Sequence, residues 1–202
     1  MPFNPSTWES LIDEKVCAID LDDTLSYSIE YWVAYVNREL CLVGLDEFKT
    51  LGQIKDKLSY NQYRQLKYKY RTSGEKIYIK PIEGASELTR ALKEKGYKVI
   101  IITARPADII PELGKLTYSW LEENNILYDG VLFNRNKHIE ILLKYPTLRF
   151  YINDHRTESN LVAQWGYPCF LINNQYNQGV TNKGVKRVDK LMEILDSLEE
   201  IE

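Results

Sequence analysis

The stretch VCAIDLDDTLSYS, residues 16–28, runs from an apolar segment straight into Asp20, Asp22 and Asp23. Three carboxylates in four positions repel one another, and each costs free energy to take out of water. The apolar part is continuous and rich in Val and Ile, as in a strand covered on both faces. The acidic part therefore falls where a buried strand ends, and its crowding calls for a counter-charge.

Four more runs of the same kind follow, at 98–104, 130–133, 148–153 and 167–173. Helical patterns separate them. Residues 107–124 place Ile109, Ile110, Leu113, Leu116, Trp120 and Leu121 at helical spacing, and 137–144 and 158–165 are shorter. Residues 84–95 precede the second strand and stop at Gly96, a good C-terminal cap. Residues 187–198 close the pattern as an amphipathic helix. Strands alternating with helices predict an α/β fold with an open parallel sheet covered on both faces. About 75 residues separate the first two strands, more than one crossover needs. Within that interval 28–43 and 59–73 read as helices, ended by Gly44 and Gly74. The organisation expected is a core of residues 1–27 and 81–202, with a small helical cap, 28–80, inserted after the first strand.

With 202 residues, 44% of them hydrophobic, the chain can bury one sizeable core and a small second lobe. A net charge of −3 points to no class of partner by itself. No apolar run reaches membrane-spanning length, and the opening MPFNP has no signal-peptide pattern. Cys17, Cys41 and Cys169 lack metal-ligand spacing, and their odd number argues against a disulfide framework. Cys17 and Cys169 lie in strand-like runs and read as small core hydrophobes. A reducing, cytoplasmic setting without membrane contact is the expectation.

Open parallel sheets bind ligands at the carboxyl ends of their strands. Asp20 ends the first strand and Asp22 lies just beyond it. Thr103 ends the second, with Ala104 beside it; Lys137 follows the third; Asp154 ends the fourth. Carboxylates, a hydroxyl and an ammonium on one edge can hold a divalent cation and a phosphate, and oxygen-only ligands favour Mg2+.

These residues resemble the motifs of the haloacid dehalogenase-like (HAD) superfamily. Asp20-Leu21-Asp22-Asp23-Thr24 is similar to its DxDxT signature and IIITARP to its second motif. NRNK offers the third-motif lysine, and YINDHRTESN resembles the fourth, with Asp154 and Glu158 spaced D-x-x-x-E. The tail NLVAQWGYPCFLINNQYN also resembles the 5'(3')-deoxyribonucleotidase-like branch, although Gln175-Tyr176-Asn177 lacks the proline of that branch's turn. The resemblance implies a Rossmann-like core and a Mg2+-dependent phosphomonoester hydrolase working through an aspartyl-phosphate. Asp20 would be the nucleophile and Asp22 the acid and base. The metal would be held by the carboxylates of Asp20 and Asp154 and the backbone carbonyl of Asp22. Thr103, Ala104 and Lys137 would bind the phosphoryl group, with Arg135 an alternative to Lys137. His155 stands where many relatives carry a second aspartate. Plainer roles fit other residues: Asp23 and Thr24 as caps of a turn or helix start, Glu158 as a first-turn carboxylate or else a partner behind the site's own ligands, His138 and His155 as solvated helix-start residues.

Residues 55–80 hold eight basic residues against Asp56 and Glu75, a local net of +6, interleaved with Tyr60, Tyr63, Tyr68, Tyr70 and Tyr78. Such a surface suits a nucleotide or nucleic acid, because phosphate is neutralised and bases can stack. The expected substrate is a small phosphorylated molecule, a nucleotide first. The rivals are a polynucleotide end phosphatase and a non-catalytic phosphate- or nucleic-acid-binding module. An acid/base residue two positions after the nucleophile argues against the last.

Overall fold

A computed structural model describes residues 14–41 and 48–199. The expected end of the first cap helix at 42–43, its stop at Gly44 and the side chain of Cys41 lie outside the described residues.

Six strands form one parallel sheet: β1 (Val16–Asp20), β2 (Lys98–Thr103), β3 (Gly130–Phe133), β4 (Leu148–Asn153), β5 (Cys169–Ile172) and β6 (Val185–Val188). Their order in space is β3-β2-β1-β4-β5-β6. β1, the strand with the acidic end, is therefore flanked by β2 and β4, whose ends carry Thr103 and Asp154. β6 was not expected. Val-Lys-Arg-Val looks like the start of a charged helix, yet it pairs as an edge strand against β5, where Lys186 and Arg187 are tolerated. The final helix accordingly begins later than expected, at Glu193.

Alternate residues of each strand feed two separate cores, as the two-residue period of a strand requires. Cys17, Ile19, Val99, Ile101, Phe150 and Ile152 face one side. There they meet α4 (Ala85–Glu94), α5 (Pro111–Glu123) and α8 (Glu193–Glu199) through Leu88, Trp120, Leu121 and Ile194. Val16, Ala18, Ile100, Ile102 and Tyr151 face the other side. They pack on α6 (Lys137–Lys144) and α7 (Arg156–Gln164) through Ile141 and Val162. α5 starts four residues later than the apolar spacing predicts, because residues 107–109 form a turn and Pro111 sits at the first helical position.

Between β1 and β2 lie α1 (Ser28–Cys41), α2 (Leu51–Lys57), α3 (Tyr60–Thr72) and a 3-10 turn, Glu75–Tyr78. Capping boxes open two of these helices, Thr50 with Gln53 and Ser59 with Gln62. The helices share their own apolar cluster of Trp32, Tyr35, Val36, Phe48, Ile54, Leu58, Leu66 and Tyr70. The way in and the way out are tied together. Tyr27 N–H donates to the Lys80 carbonyl at 3.1 Å, and Ile82 N–H to the Leu25 carbonyl at 2.8 Å. Trp120 is fully buried and donates its indole N–H to the Ile79 carbonyl at 2.6 Å, fastening the return segment to α5. Among the described residues no helix is long and apolar enough to cross a membrane.

Candidate active site

Asp20 is the last residue of β1 and only 3% exposed. Its Oδ1 accepts the Leu21 N–H at 2.8 Å, and its Oδ2 lies 2.5 Å from Lys137 Nζ. Lys137 opens α6, is equally buried, and reaches Glu158 Oε2 at 3.5 Å. Burial works against the ammonium, but Asp20 and Glu158 prevail and hold Lys137 well above the usual lysine range. Burial pushes Asp20 upward against the pull of Lys137. Arg135, the alternative partner, is exposed to solvent.

Asp154 follows β4, so the sheet brings it beside β1. Burial first and the Asp20 charge second raise its carboxyl well above the ordinary range. Tyr176 OH donates to its Oδ2 at 3.0 Å, and Asn177 Nδ2 donates to its carbonyl at 2.7 Å. Asn177 also donates to the Ile172 carbonyl at 2.7 Å and accepts from Arg187 Nη1 at 3.0 Å. The turn Gln175-Tyr176-Asn177 thus braces the Asp154 loop without the proline. Glu158 accepts from Asn153 Nδ2 at 3.1 Å. His155 turns to its own helix, where Nδ1 accepts the Glu158 N–H at 3.4 Å. His138 stacks on Trp165 with ring centroids 6.3 Å apart.

Asp22 belongs to a different group. Its carboxylate accepts from Arg105 Nη2 at 2.7 Å and Nε at 3.0 Å, from Lys76 Nζ at 3.2 Å and from Ser28 Oγ. Arg105 is 4% exposed and braced from behind, where its Nη1 donates to Thr117 Oγ1 at 3.1 Å. Burial alone would raise Asp22, yet Arg105 and Lys76 hold it well below the usual carboxylate range. Thr103 is fully buried, and its Oγ1 accepts the Arg105 N–H at 3.3 Å. Asp23 adopts a left-handed φ of 62°, which Asp tolerates, and its carboxylate accepts the Ile29 N–H at 2.7 Å, capping α1. Burial lifts its pKa to about 7.

Arg105 was missed by the sequence reading, and Lys76 was seen only as one of a basic run. The signal for Arg105 was its place in TARP, on a strand-end loop two residues after Thr103. The basic run 55–80 divides. Lys55, Lys57, Arg64, Lys69 and Lys80 are solvated. Lys67, Arg71 and Lys76 instead line a cavity of about 170 Å³ with Asp22, Trp32, Ala104 and Arg105. A second cavity, of about 830 Å³, opens between the start of α1 and the β5–β6 loop, lined by Tyr27, Asn173, Asn174 and Tyr176 among others. The two share Asp23, Ile29 and Leu51.

The oxygens at the strand ends fit magnesium. Asp20 and Asp154 are buried carboxylates, the Asp20 charge raises the cost of ionising Asp154, and Lys137 already serves two acids. Among the described residues no three His, Cys, Asp or Glu side chains cluster as a metal site. Two buried strand-end carboxylates are a sparse oxygen set of the kind magnesium takes, one that would leave positions for water and phosphate.

No protein-family model matches the chain. It is 27% identical over 180 residues to the Bacillus subtilis (strain 168) protein named "Putative nucleotidase YqfW", covering 87% of this chain and 89% of that one. A haloacid dehalogenase-like family hydrolase from Streptococcus pneumoniae superposes with a TM-score of 0.61 at 18% identity, over 92% of this chain and 98% of that one. The D,D-heptose 1,7-bisphosphate phosphatase of B. bronchiseptica, solved with magnesium and phosphate, superposes with a TM-score of 0.57 at 10% identity, over 93% and 99%. Six parallel strands in this order, an acidic loop ending β1 and these superpositions give the chain the fold of the haloacid dehalogenase-like hydrolases.

Proposed function

We propose that the chain is a phosphomonoester hydrolase that works through an aspartyl-phosphate on Asp20, with a nucleotide as its substrate. The observation that carries the reading is the buried Asp20 carboxylate at the end of a central strand, 2.5 Å from Lys137 and beside Asp154. Lys137, Thr103 and the backbone at Ala104 would hold the phosphoryl oxygens. An Asp20 oxygen attacks phosphorus, the bond to the leaving oxygen breaks, and that oxygen takes a proton from Asp22 or leaves as an anion. Water then attacks the same phosphorus, gives a proton to Asp22, and releases Asp20 and inorganic phosphate. Asp20, Asp154 and the Asp22 carbonyl would hold magnesium, which lessens the repulsion between carboxylate and phosphate.

The grip of Arg105 and Lys76 keeps Asp22 ionised, the form that accepts the proton from water. Substrates with acidic leaving groups, which depart without a proton, should therefore react fastest. Residues 28–80 serve as a cap over the strand ends. The larger cavity supports the nucleotide reading: its size suits a nucleoside, and the exposed aromatic residues Tyr27 and Tyr176 line it. The name of the Bacillus relative points the same way. The 5'(3')-deoxyribonucleotidase-like specificity rests on the tail resemblance. The solvation of Lys55, Lys57, Arg64 and Lys69 leaves the end-phosphatase reading without a continuous basic track into the site.

The test is phosphate release from a panel of nucleoside monophosphates, sugar phosphates, aryl phosphates and 5'- or 3'-phosphorylated oligonucleotides, with magnesium and with excess chelator. Magnesium-dependent release, fastest among nucleotides within the natural esters, is expected. No release from any member overturns the hydrolase reading, and preference for oligonucleotides overturns the mononucleotide one.

A further inference from the structure

The small cavity beside Asp22 holds more positive charge than its surroundings balance. Four cations meet there. Arg105 and Lys76 are committed to Asp22. Lys67 and Arg71 have no hydrogen bond or ion pair among the described residues. Lys67 Nζ instead lies 4.3 Å from the Trp32 ring centroid, and burial, with the Lys76 charge nearby and no ion pair, lowers its pKa to about 7, so the ammonium lacks an anion that would hold it charged. The indole N–H of Trp32, a lining residue, and the hydroxyl of neighbouring Tyr70 are buried with no acceptor among the described residues. Both residues are 1% exposed. Unpaired basic groups lining a cavity beside a buried, idle indole donor are expensive unless an acceptor-rich anion completes them.

Size and position say what the anion is. A volume of about 170 Å³ is below that of pockets for nucleoside-sized ligands, roughly 300 Å³ and up, but ample for one tetrahedral oxyanion with a few waters. The cavity does not touch Asp20 or Lys137, which receive the reacting phosphoryl group. It is lined by Asp22, the residue that would protonate the leaving oxygen, and by Ala104. Arg71 and Lys67, a guanidinium and an amine left without partners, suit a phosphate monoester, whose charge would hold Lys67 protonated.

We propose that this cavity binds a second phosphate carried by the leaving group, so that the preferred substrates are bisphosphates rather than simple monophosphates. The inference rests on the hydrolase reading above and sharpens its substrate class: the reacting phosphate sits at Asp20, the second between Lys67, Arg71 and Lys76. With a nucleotide, the nucleoside portion occupies the adjoining larger cavity.

Binding tests this separately from turnover. In an Asp20→Asn background with magnesium, at an ionic strength that screens exposed lysines, calorimetry measures Kd for two matched pairs. One pair is deoxyadenosine 5'-monophosphate and 3',5'-bisphosphate; the other is fructose 6-phosphate and fructose 1,6-bisphosphate. The bisphosphate should bind at least about tenfold tighter in one pair or both. Lys67→Met and Arg71→Gln should each cut that advantage severalfold, and Lys67→Arg should keep it. Arg71 is half-exposed, so its variant remains informative if Lys67→Met is poorly folded. An advantage below threefold in both pairs, or one that survives Arg71→Gln, overturns the proposal. Phosphate release by the wild-type protein decides the hydrolase reading independently. If none of these esters is hydrolysed, that reading falls, while the affinity ratio still decides whether the second-phosphate cavity exists.

Discussion

Around Lys137, the carboxylates of Asp20, Glu158 and Asp154 share one cation; around Asp22, one carboxylate meets Arg105 and Lys76, with Lys67 and Arg71 close by. The first group lacks positive charge and the second has too much. They are two residues apart in sequence, on either side of the turn that follows β1. In the proposed reading a metal ion would answer the first imbalance and a substrate anion the second. The difference shows that the DxD spacing does more than supply two acids. It places one carboxylate in the sheet edge and hands the other to the cap.

Breaking the first group should have the largest effect. Asp20→Asn preserves shape and removes the nucleophilic charge, so turnover should fall at least about a thousandfold while the thermal transition survives. Turnover within tenfold of wild type would remove the covalent route. Lys137→Met strips the partner from buried Asp20 and half-buried Glu158. Breaking such a pair costs about 3–5 kcal/mol, so denaturant unfolding should show a loss of that order. A loss under about 1 kcal/mol would mean that solvent or another cation already balances Asp20.

In the second group the effect should appear as a pH shift. Arg105 holds Asp22 low, so Arg105→Lys, which cannot make the same fork, should let the Asp22 pKa rise. Because the ionised form takes the proton from water in the second step, the acidic limb of kcat for an aryl phosphate, whose first step is fast, should move to higher pH. A limb that stays put would assign it to another group. Between the two groups lies Asp23, whose folded-state pKa of about 7 exceeds the ordinary ~4 of an unfolded aspartate. A carboxyl raised by folding stabilises the fold while protonated, and that stability is lost as pH climbs from ~4 through about 7. Asp23→Asn keeps an acceptor for the Ile29 N–H and cannot ionise. Its stability relative to wild type should therefore improve from pH 4 to pH 8, by about 2 kcal/mol after allowing for screening, measured in chelator. A pH-independent difference would contradict the raised value.

The smallest effect separates neighbours in the basic run. Lys69 is solvated while Lys67 lines the cavity, so Lys69→Glu should leave Kd and the thermal midpoint unchanged within error. Equal losses from Lys69→Glu and Lys67→Glu would restore the diffuse basic surface that the sequence suggests.

The first group was legible and the second was not, for a physical reason. Asp20, Thr103, Lys137 and Asp154 each follow an apolar run that can only be a buried strand, and parallel strands carry their ends to one edge whatever their order. Asp22 shares that signal, but its partners come from α3, from the 3-10 turn and from behind the TARP loop. No periodicity in residues 55–80 says which lysines turn inward; that follows from how Trp32, Leu66 and Tyr70 pack. The same limit hid β6, whose Lys186 and Arg187 carry no strand pattern until β5 provides an edge. It also hid α2, where Gly52 masks the capping box of Thr50 and Gln53. Tyr176 and Asn177 were legible as a turn, but not as the brace of Asp154.

The central claim is that Asp20 carries the phosphoryl group, and the intermediate itself can be sought. The wild-type protein, mixed with magnesium and its best substrate, is quenched in acid within the first turnover and reduced with borohydride, which converts an aspartyl-phosphate to homoserine. Peptide mass spectrometry should then find homoserine at position 20 and unmodified aspartate at positions 22 and 23. Phosphate release at the same rate with position 20 always recovered as aspartate, or with the label at position 22, would contradict it.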